Sequence, residues 1–306
     1  MRAAAFLLVA LLAVSAAAQP TVYILKVRES QGWWTSPESL TIRIQDFLKQ
    51  ASEELGLPLE VKVIESIEEW ERLVEEAPPD VVIINAHGEL VPVPPKYGVD
   101  WQSFYRDLAM LIMDKGWVFI NPIGYGFFYV TYNYTKGPDG EWEWDMLTVG
   151  ADGLDVISGW LGFVATAWPP EAGTPEITET GRHVFAVLGF ELPEQANAPR
   201  PISTNIPASW SFYELELENA TAYACVEFEV GRGALVWGGW ASSPIDHQAQ
   251  VAAALALYHL YRFEIDAMEP KPRGLTPTQI LLIAWGTAVA VASLLIVRVL
   301  MGKRRQ

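Results

Sequence analysis

Between residues 21 and 121 the apolar positions switch repeatedly between a strand-like and a helix-like spacing. Thr21 to Val27 and Leu59 to Ile64 have strand length and strand composition, while Val81 to Asn85 and Trp117 to Asn121 are almost continuously apolar. Such short continuous runs predict strands buried on both faces. Helical stripes lie between them. Leu40, Ile44, Phe47, Leu48, Ala51 and Leu55 form one stripe, opened by Ser36-Pro37-Glu38 and closed by Gly56. Ser66 and Glu69 make a capping box for a shorter helix that Pro78-Pro79 stops. A third helix is predicted from Trp101 to Lys115, ending on Gly116.

The pattern changes after Phe127. The arms around Lys136-Gly137-Pro138-Asp139-Gly140 alternate as a hairpin, and a proline-rich irregular stretch follows. A helix is predicted from Ile177 to Leu188, and "SFYELELEN" and "TAYACVEFEV" then read as antiparallel strands. "GALVWGGW" returns to the continuous apolar type, and Ser243-Pro244 should cap a last helix to about Ile265. The expected fold is α/β and flavodoxin-like: a mostly parallel sheet covered by helices on both faces. It forms one domain, residues 19–270, with a β-rich insertion at 127–230.

The two ends change the picture. Residues 1–18 have the basic start, apolar stretch and small-residue cleavage site of a secretory signal peptide: Arg2, Ala3 to Val14 and Ala16-Ala17-Ala18. Residues 277–298 read as a C-terminal transmembrane helix, since Ile280 to Val297 is uncharged and about 20 apolar residues span a bilayer. Arg298 closes the span, and Lys303, Arg304 and Arg305 make the 299–306 tail basic, which belongs on the cytoplasmic side. The expected location is therefore the cell membrane, single-pass, with the bulk of the chain outside.

Assigning charges to these parts leaves 16 of the 21 basic residues against all 37 acidic ones in the exported part, a net of −21. Such a surface repels nucleic acid and anionic lipid. Cys225 is the only cysteine, so no internal disulfide forms. Asn133 and Asn219 lie in glycosylation sequons.

In a parallel sheet, ligands bind beyond the carboxyl ends of the strands. His87-Gly88-Glu89, Gly124-Tyr125-Gly126 and Gly239-Trp240 should converge there as a ligand crevice, with glycine letting backbone approach closely. His87, Glu89 and Tyr125 are its candidate reactive groups. Zinc-protease, phosphate-loop, dinucleotide and Gly-x-Ser-x-Gly patterns do not occur in the sequence. A metal set of His87, Glu89, Asp246 and His247 lacks dedicated spacing, and Asp246 fits the first turn of a helix. Neither metal nor cofactor is expected. His183 and His259 fall in predicted helices. Trp33-Trp34 and Trp142/Trp144 occupy loop and hairpin positions, where aromatic rings serve as sugar platforms or protein hot spots. Trp142 and Trp144 are the expected partner surface, with a small sugar or glycan as a further ligand.

The element order and the stretches "DVVIINAHGE", "DKGWVFINPIGYGFF" and "GRGALVWGGW…DHQAQVAAALALYHLY" resemble the class I glutamine amidotransferase-like superfamily, in its trehalose-utilisation-like branch. That resemblance covers most of 21–126 and 230–265. It implies a catalytic cysteine at a tight strand-to-helix turn, paired with a histidine. Tyr125 stands at the matching position, and a phenol is a poor substitute for a thiol. Cys225 cannot replace it: alternation sets Ala224, Val226 and Phe228 on one face and Cys225 with Glu227 and Glu229 on the other. The resemblance therefore implies a degenerate, non-catalytic member. The layout is also similar to accessory subunits of the eukaryotic oligosaccharyltransferase and of some bacterial exporters. The expected function is an anchored extracytoplasmic binding or scaffold subunit of a membrane complex. Its rivals are a hydrolase or sugar-processing enzyme using His87 as base and Glu89 as acid or orienting group, and a structural envelope protein.

Overall fold

The computed structural model describes residues 19–191, 199–240 and 244–270. The expected signal peptide at 1–18, the span at 277–298 and the basic tail lie outside them. Among the described residues no helix is long and apolar enough to cross a membrane.

The chain is α/β with a parallel central sheet and, among the described residues, six α-helices. Strands β1 (Thr21–Leu25), β2 (Glu60–Ile64) and β3 (Val82–Asn85) alternate with helices α1 (Pro37–Leu55) and α2 (Ile67–Glu76). A short strand β4 (Leu90–Pro92) follows, then α3 (Trp101–Lys115) and β5 (Val118–Ile123). The last described elements are β13 (Gly233–Trp240) and α6 (Ile245–Ala267), the second preceded by Pro244, which offers no side-chain cap. Ser243, the expected cap, lies outside the described residues.

The parallel strands run in the order β2-β1-β3-β5-β13. The second strand therefore precedes the first, and the order reverses between β1 and β3. Alternating side chains serve two cores. Val22, Ile24, Val82, Ile84, Ile120 and Val236 pack with Leu40, Ile44 and Leu48 of α1 and with α6. Leu25, Ile83, Phe119 and Leu235 pack with Ile67, Trp70 and Val74 of α2 and with α3. Local chemistry ends these helices where expected. Ser36 accepts from the Ser39 N–H, and Gly56 takes the left-handed cap at φ 68°. Ser66 accepts from the Glu69 N–H, but Glu69 returns its bond to the Glu65 N–H, one residue outside the usual box.

The stretch 127–230 does not stand apart as a whole. Only β6 (Tyr129–Lys136) and β7 (Trp142–Thr148), the predicted hairpin, leave the main sheet, and they join β4 in a three-stranded sheet. The others, β8 (Ala165–Ala167), β9 (Glu176–Ile177), β10 (Ile202–Thr204), β11 (Trp210–Glu216) and β12 (Thr221–Val230), extend the main sheet antiparallel from β13. Helix α5 (Glu179–Leu188) starts on a Thr178 cap, two residues later than predicted. Helix α4 (Ala151–Trp160) occupies a stretch expected to be irregular. Its N-cap is Gly150 without a side-chain bond, and Gly153 and Gly159 interrupt it, so packing of Leu154 and Ile157 holds a helix that propensity disfavours.

Candidate functional site

Strand β3 ends in Asn85 and β5 carries Asn121 two residues before its end, and neither side chain reaches solvent. Asn85 and Asn121 lie 2.8 Å apart, side by side. The Asn85 amide donates to the Leu90 carbonyl at 2.9 Å and accepts the His87 N–H at 3.1 Å, folding residues 86–90 back over the strand end. Gly88 sits at φ 74°, where a Cβ would come within 2.1 Å of the Trp33 carbonyl oxygen. Only glycine permits that approach. Trp33 in turn donates its N–H to the His87 carbonyl at 2.9 Å.

His87 is fully buried beneath this contact. Its Nε2 accepts the Val27 N–H at 2.9 Å, and its Nδ1 lies 2.8 Å from the Gln31 carbonyl. An N–H donor at one nitrogen and a carbonyl acceptor at the other fix the neutral ring, with the proton on Nδ1. Burial agrees, lowering its pKa to about 4. Both ring nitrogens belong to the fold. The expected base of the crevice is a tie between β3 and the loop that follows β1.

Glu89 points the other way. It is 4% exposed, and its Oε1 accepts the Tyr125 N–H at 2.7 Å. Gly124 makes room for it: at φ 55°, a Cβ there would stand 2.2 Å from the same oxygen. Burial raises the Glu89 pKa above the usual carboxylate range, against the Tyr125 N–H, the Arg200 charge and a bond from Trp34. The Arg200 guanidinium lies 4.9 Å from the centre of the Tyr125 ring. Backbone bonds fix Arg200, whose N–H reaches the Gly239 carbonyl at 2.8 Å and whose carbonyl accepts the Trp237 indole N–H at 2.7 Å. Gly239 is needed at φ 60°, since a Cβ would fall 2.4 Å from the Arg200 oxygen. Trp240 is buried, with its carbonyl accepting the Gly124 N–H at 2.5 Å. Gly126 abuts Asn121.

The fold thus brings Glu89, Gly124, Tyr125, Gly126, Gly239 and Trp240 together, with His87 and Gly88 underneath. It adds Arg200, which sequence reasoning missed, and Trp34, which is 54% exposed at φ 63°. Arg200 follows a proline-rich stretch without periodicity, so only its charge could have drawn notice. A carboxyl held above its ordinary pKa binds more protons in the folded than the unfolded state, so it costs stability as pH rises. Glu89→Gln is therefore expected to melt higher than wild type at neutral pH, the difference shrinking as pH falls toward the ordinary carboxylate pKa. Thermal melts of both proteins across that range check it. A constant or inverted difference would mean that the carboxylate is not penalised there.

The remaining candidates lie elsewhere. Asp246 pairs with Arg43 at 2.9 Å, and the His247 Nε2 is 3.6 Å from Glu191. Among the described residues no group of three or more His, Cys, Asp or Glu is arranged to hold a metal ion. His183 is 3.0 Å from the Ile265 carbonyl. His259 is 2.5 Å from buried Glu227, which also accepts the Trp210 indole N–H at 3.1 Å. Cys225 is buried, and burial pushes its thiol well up. Its φ of 52° breaks the expected alternation: Ala224 and Cys225 share the core layer of α1 and α6, while Val226 and Phe228 occupy the other. Trp142 and Trp144 are half-buried on one side of β7. Asn133 donates its amide to Asp145 at 2.8 Å, the atom that a glycan would use, whereas Asn219 is exposed in the turn between β11 and β12.

Comparison of the chain with protein-family models gives no match, and comparison with curated proteins gives none.

Proposed function

We propose that this chain is the extracytoplasmic binding subunit of a membrane complex, carried on a flavodoxin-like domain of the amidotransferase-like type that has lost its catalytic function. The leader-like residues 1–18 and the apolar stretch ending at Val297 support export and anchoring. One observation carries the choice of binding over catalysis. At the glycine-flanked elbow, the backbone N–H of Tyr125 is taken by the chain's own Glu89 carboxyl, and the nearby His87 has both nitrogens engaged. A hydrolytic site would need that donor and that base for substrate. What the crevice mouth offers instead is Trp34, Tyr125 and Arg200, the residue types that dominate protein interfaces.

The test is site-specific photocross-linking of the full-length chain in its native membrane. A benzophenone side chain in place of Trp34 is expected to capture one membrane protein in near-stoichiometric yield. The same group in place of Glu218, exposed in the β11–β12 turn, should not. A chain recovered alone from both positions overturns the subunit reading. Ester or glycoside hydrolysis that disappears in Glu89→Gln would put an enzyme in its place.

A further inference from the structure

We propose that the cavity between the loop after β1 and the β6–β7 hairpin is a binding site for a neutral oligosaccharide, independent of the strand-end crevice and of the subunit reading. The cavity has a volume of about 410 Å³ and is lined by Arg28 to Gln31 on one side and by Glu141, Trp142 and Trp144 on the other. That volume suits a disaccharide-sized ligand.

Its walls are set before any ligand arrives. Ser30 and Thr131 hydroxyls lie 2.8 Å apart, and the Gln31 amide reaches the Met146 sulfur at 2.9 Å, so the loop is pinned to the hairpin. The Trp142 ring is held at its edge by a 2.8 Å bond from its indole N–H to Glu68, with the Lys136 ammonium 4.9 Å from its centre. Fixed walls reduce the ordering cost of binding.

The chemistry that remains open selects the ligand class. Trp142 has its N–H engaged and contributes ring surface alone, while the Trp144 indole N–H has no partner among the described residues. The Glu141 carboxylate likewise makes no hydrogen bond there and is exposed. Arg28 binds Glu29 through Nε at 2.8 Å, which leaves its terminal nitrogens, on a side chain 73% exposed, as donors. Two aromatic faces, one carboxylate acceptor and a set of N–H donors match a sugar ring, which presents C–H faces and hydroxyls at its rim. Glu29, Glu68 and Glu141 oppose a phosphate or carboxylate ligand. Arg28 and Lys136 oppose a cation.

The probes are cellobiose, α-1,2-mannobiose and N,N′-diacetylchitobiose, each at about 5 mM with the full-length chain in detergent, followed by saturation-transfer NMR. At least one is expected to receive saturation at its ring C–H protons, with a Kd between about 0.1 and 5 mM. Trp144→Ala should weaken it by about tenfold or more. Glu141→Gln, on the exposed surface, should weaken it by roughly threefold with an unchanged melting temperature, so the site can be judged even if the tryptophan variant misfolds. Saturation of none of the three, or binding unaltered in both folded variants, overturns the proposal. So does a protein cross-link from wild type that Trp142→Ala/Trp144→Ala removes while no sugar binds, since the cavity would then belong to a protein partner.

Discussion

His87→Phe is expected to cost about 3–5 kcal/mol of folding stability, more than any substitution at the crevice surface. Phenylalanine keeps the ring's apolar bulk but leaves the Val27 N–H without a partner in a fully buried place and the Gln31 carbonyl without one in a partly buried place. Each such orphan costs about 1–3 kcal/mol. His87→Gln, which retains one donor and one acceptor, should recover part of the loss. The pH dependence supplies a second readout. A folded pKa of about 4 against the ordinary 6.5 means that the unfolded chain binds the proton first. The stabilisation is full above about pH 6.5 and is lost as pH falls toward 4, by on the order of 3 kcal/mol. Denaturant unfolding of the full-length chain at several pH values checks both parts. Wild type should lose stability across that window, and the phenylalanine variant should lack this component. Equal acid sensitivity in the two proteins would mean that His87 is not the buried neutral tie described above.

The second large effect is expected at Gly124. An alanine there must adopt φ near 55° and place its Cβ 2.2 Å from the Glu89 carboxyl oxygen. The left-handed backbone alone costs about 1–2 kcal/mol. Displacing a nearly buried carboxyl from the Tyr125 N–H adds to it, for a total of about 2–4 kcal/mol. The two parts separate in a double-mutant cycle. With Glu89→Ala already in place, Gly124→Ala should cost only its backbone term, giving a coupling of about 1–2 kcal/mol. Strict additivity would show that Glu89 and the elbow glycine do not share one space, and the crevice geometry would have to be redrawn.

How legible was this in the sequence? The parallel strands were legible because burial on both faces leaves unbroken apolar runs, as in Val81 to Ile84. Helices α1 to α3 carried their own punctuation, from Ser36 and Ser66 at the starts to Gly56 and Gly116 at two of the ends. Helix α4 had none, being held by tertiary packing. Alternation identified β11 and β12 as strands, but it carries no information about which edge they join, and they lengthen the main sheet beyond β13. The break at Cys225 was hidden because nothing in its identity requires a positive φ.

The site divides the same way. Glycines at 88, 124 and 239 marked close backbone approaches, and those approaches occur. The role of His87 was not legible, since its partners are main-chain groups of residues 27 and 31, which any sequence would present. Arg200 reaches Tyr125 from a segment with no pattern to read.

The place of β13 and α6 in the sheet also sets an order of events during synthesis. Strand β13 lies between β5 and β12, and α6 buries much of its surface against α1 and the central strands. Residues 21–55 must therefore wait for residues 233–267 before their core layer can close. Contacts so far apart in sequence make folding slow, because the entropy of closing the loop is lost before the contacts repay it. Until α6 emerges, the part of the face over β3 and β5 that α1 does not cover stands open, and a nascent chain halted before residue 245 would present that patch to any chaperone within reach.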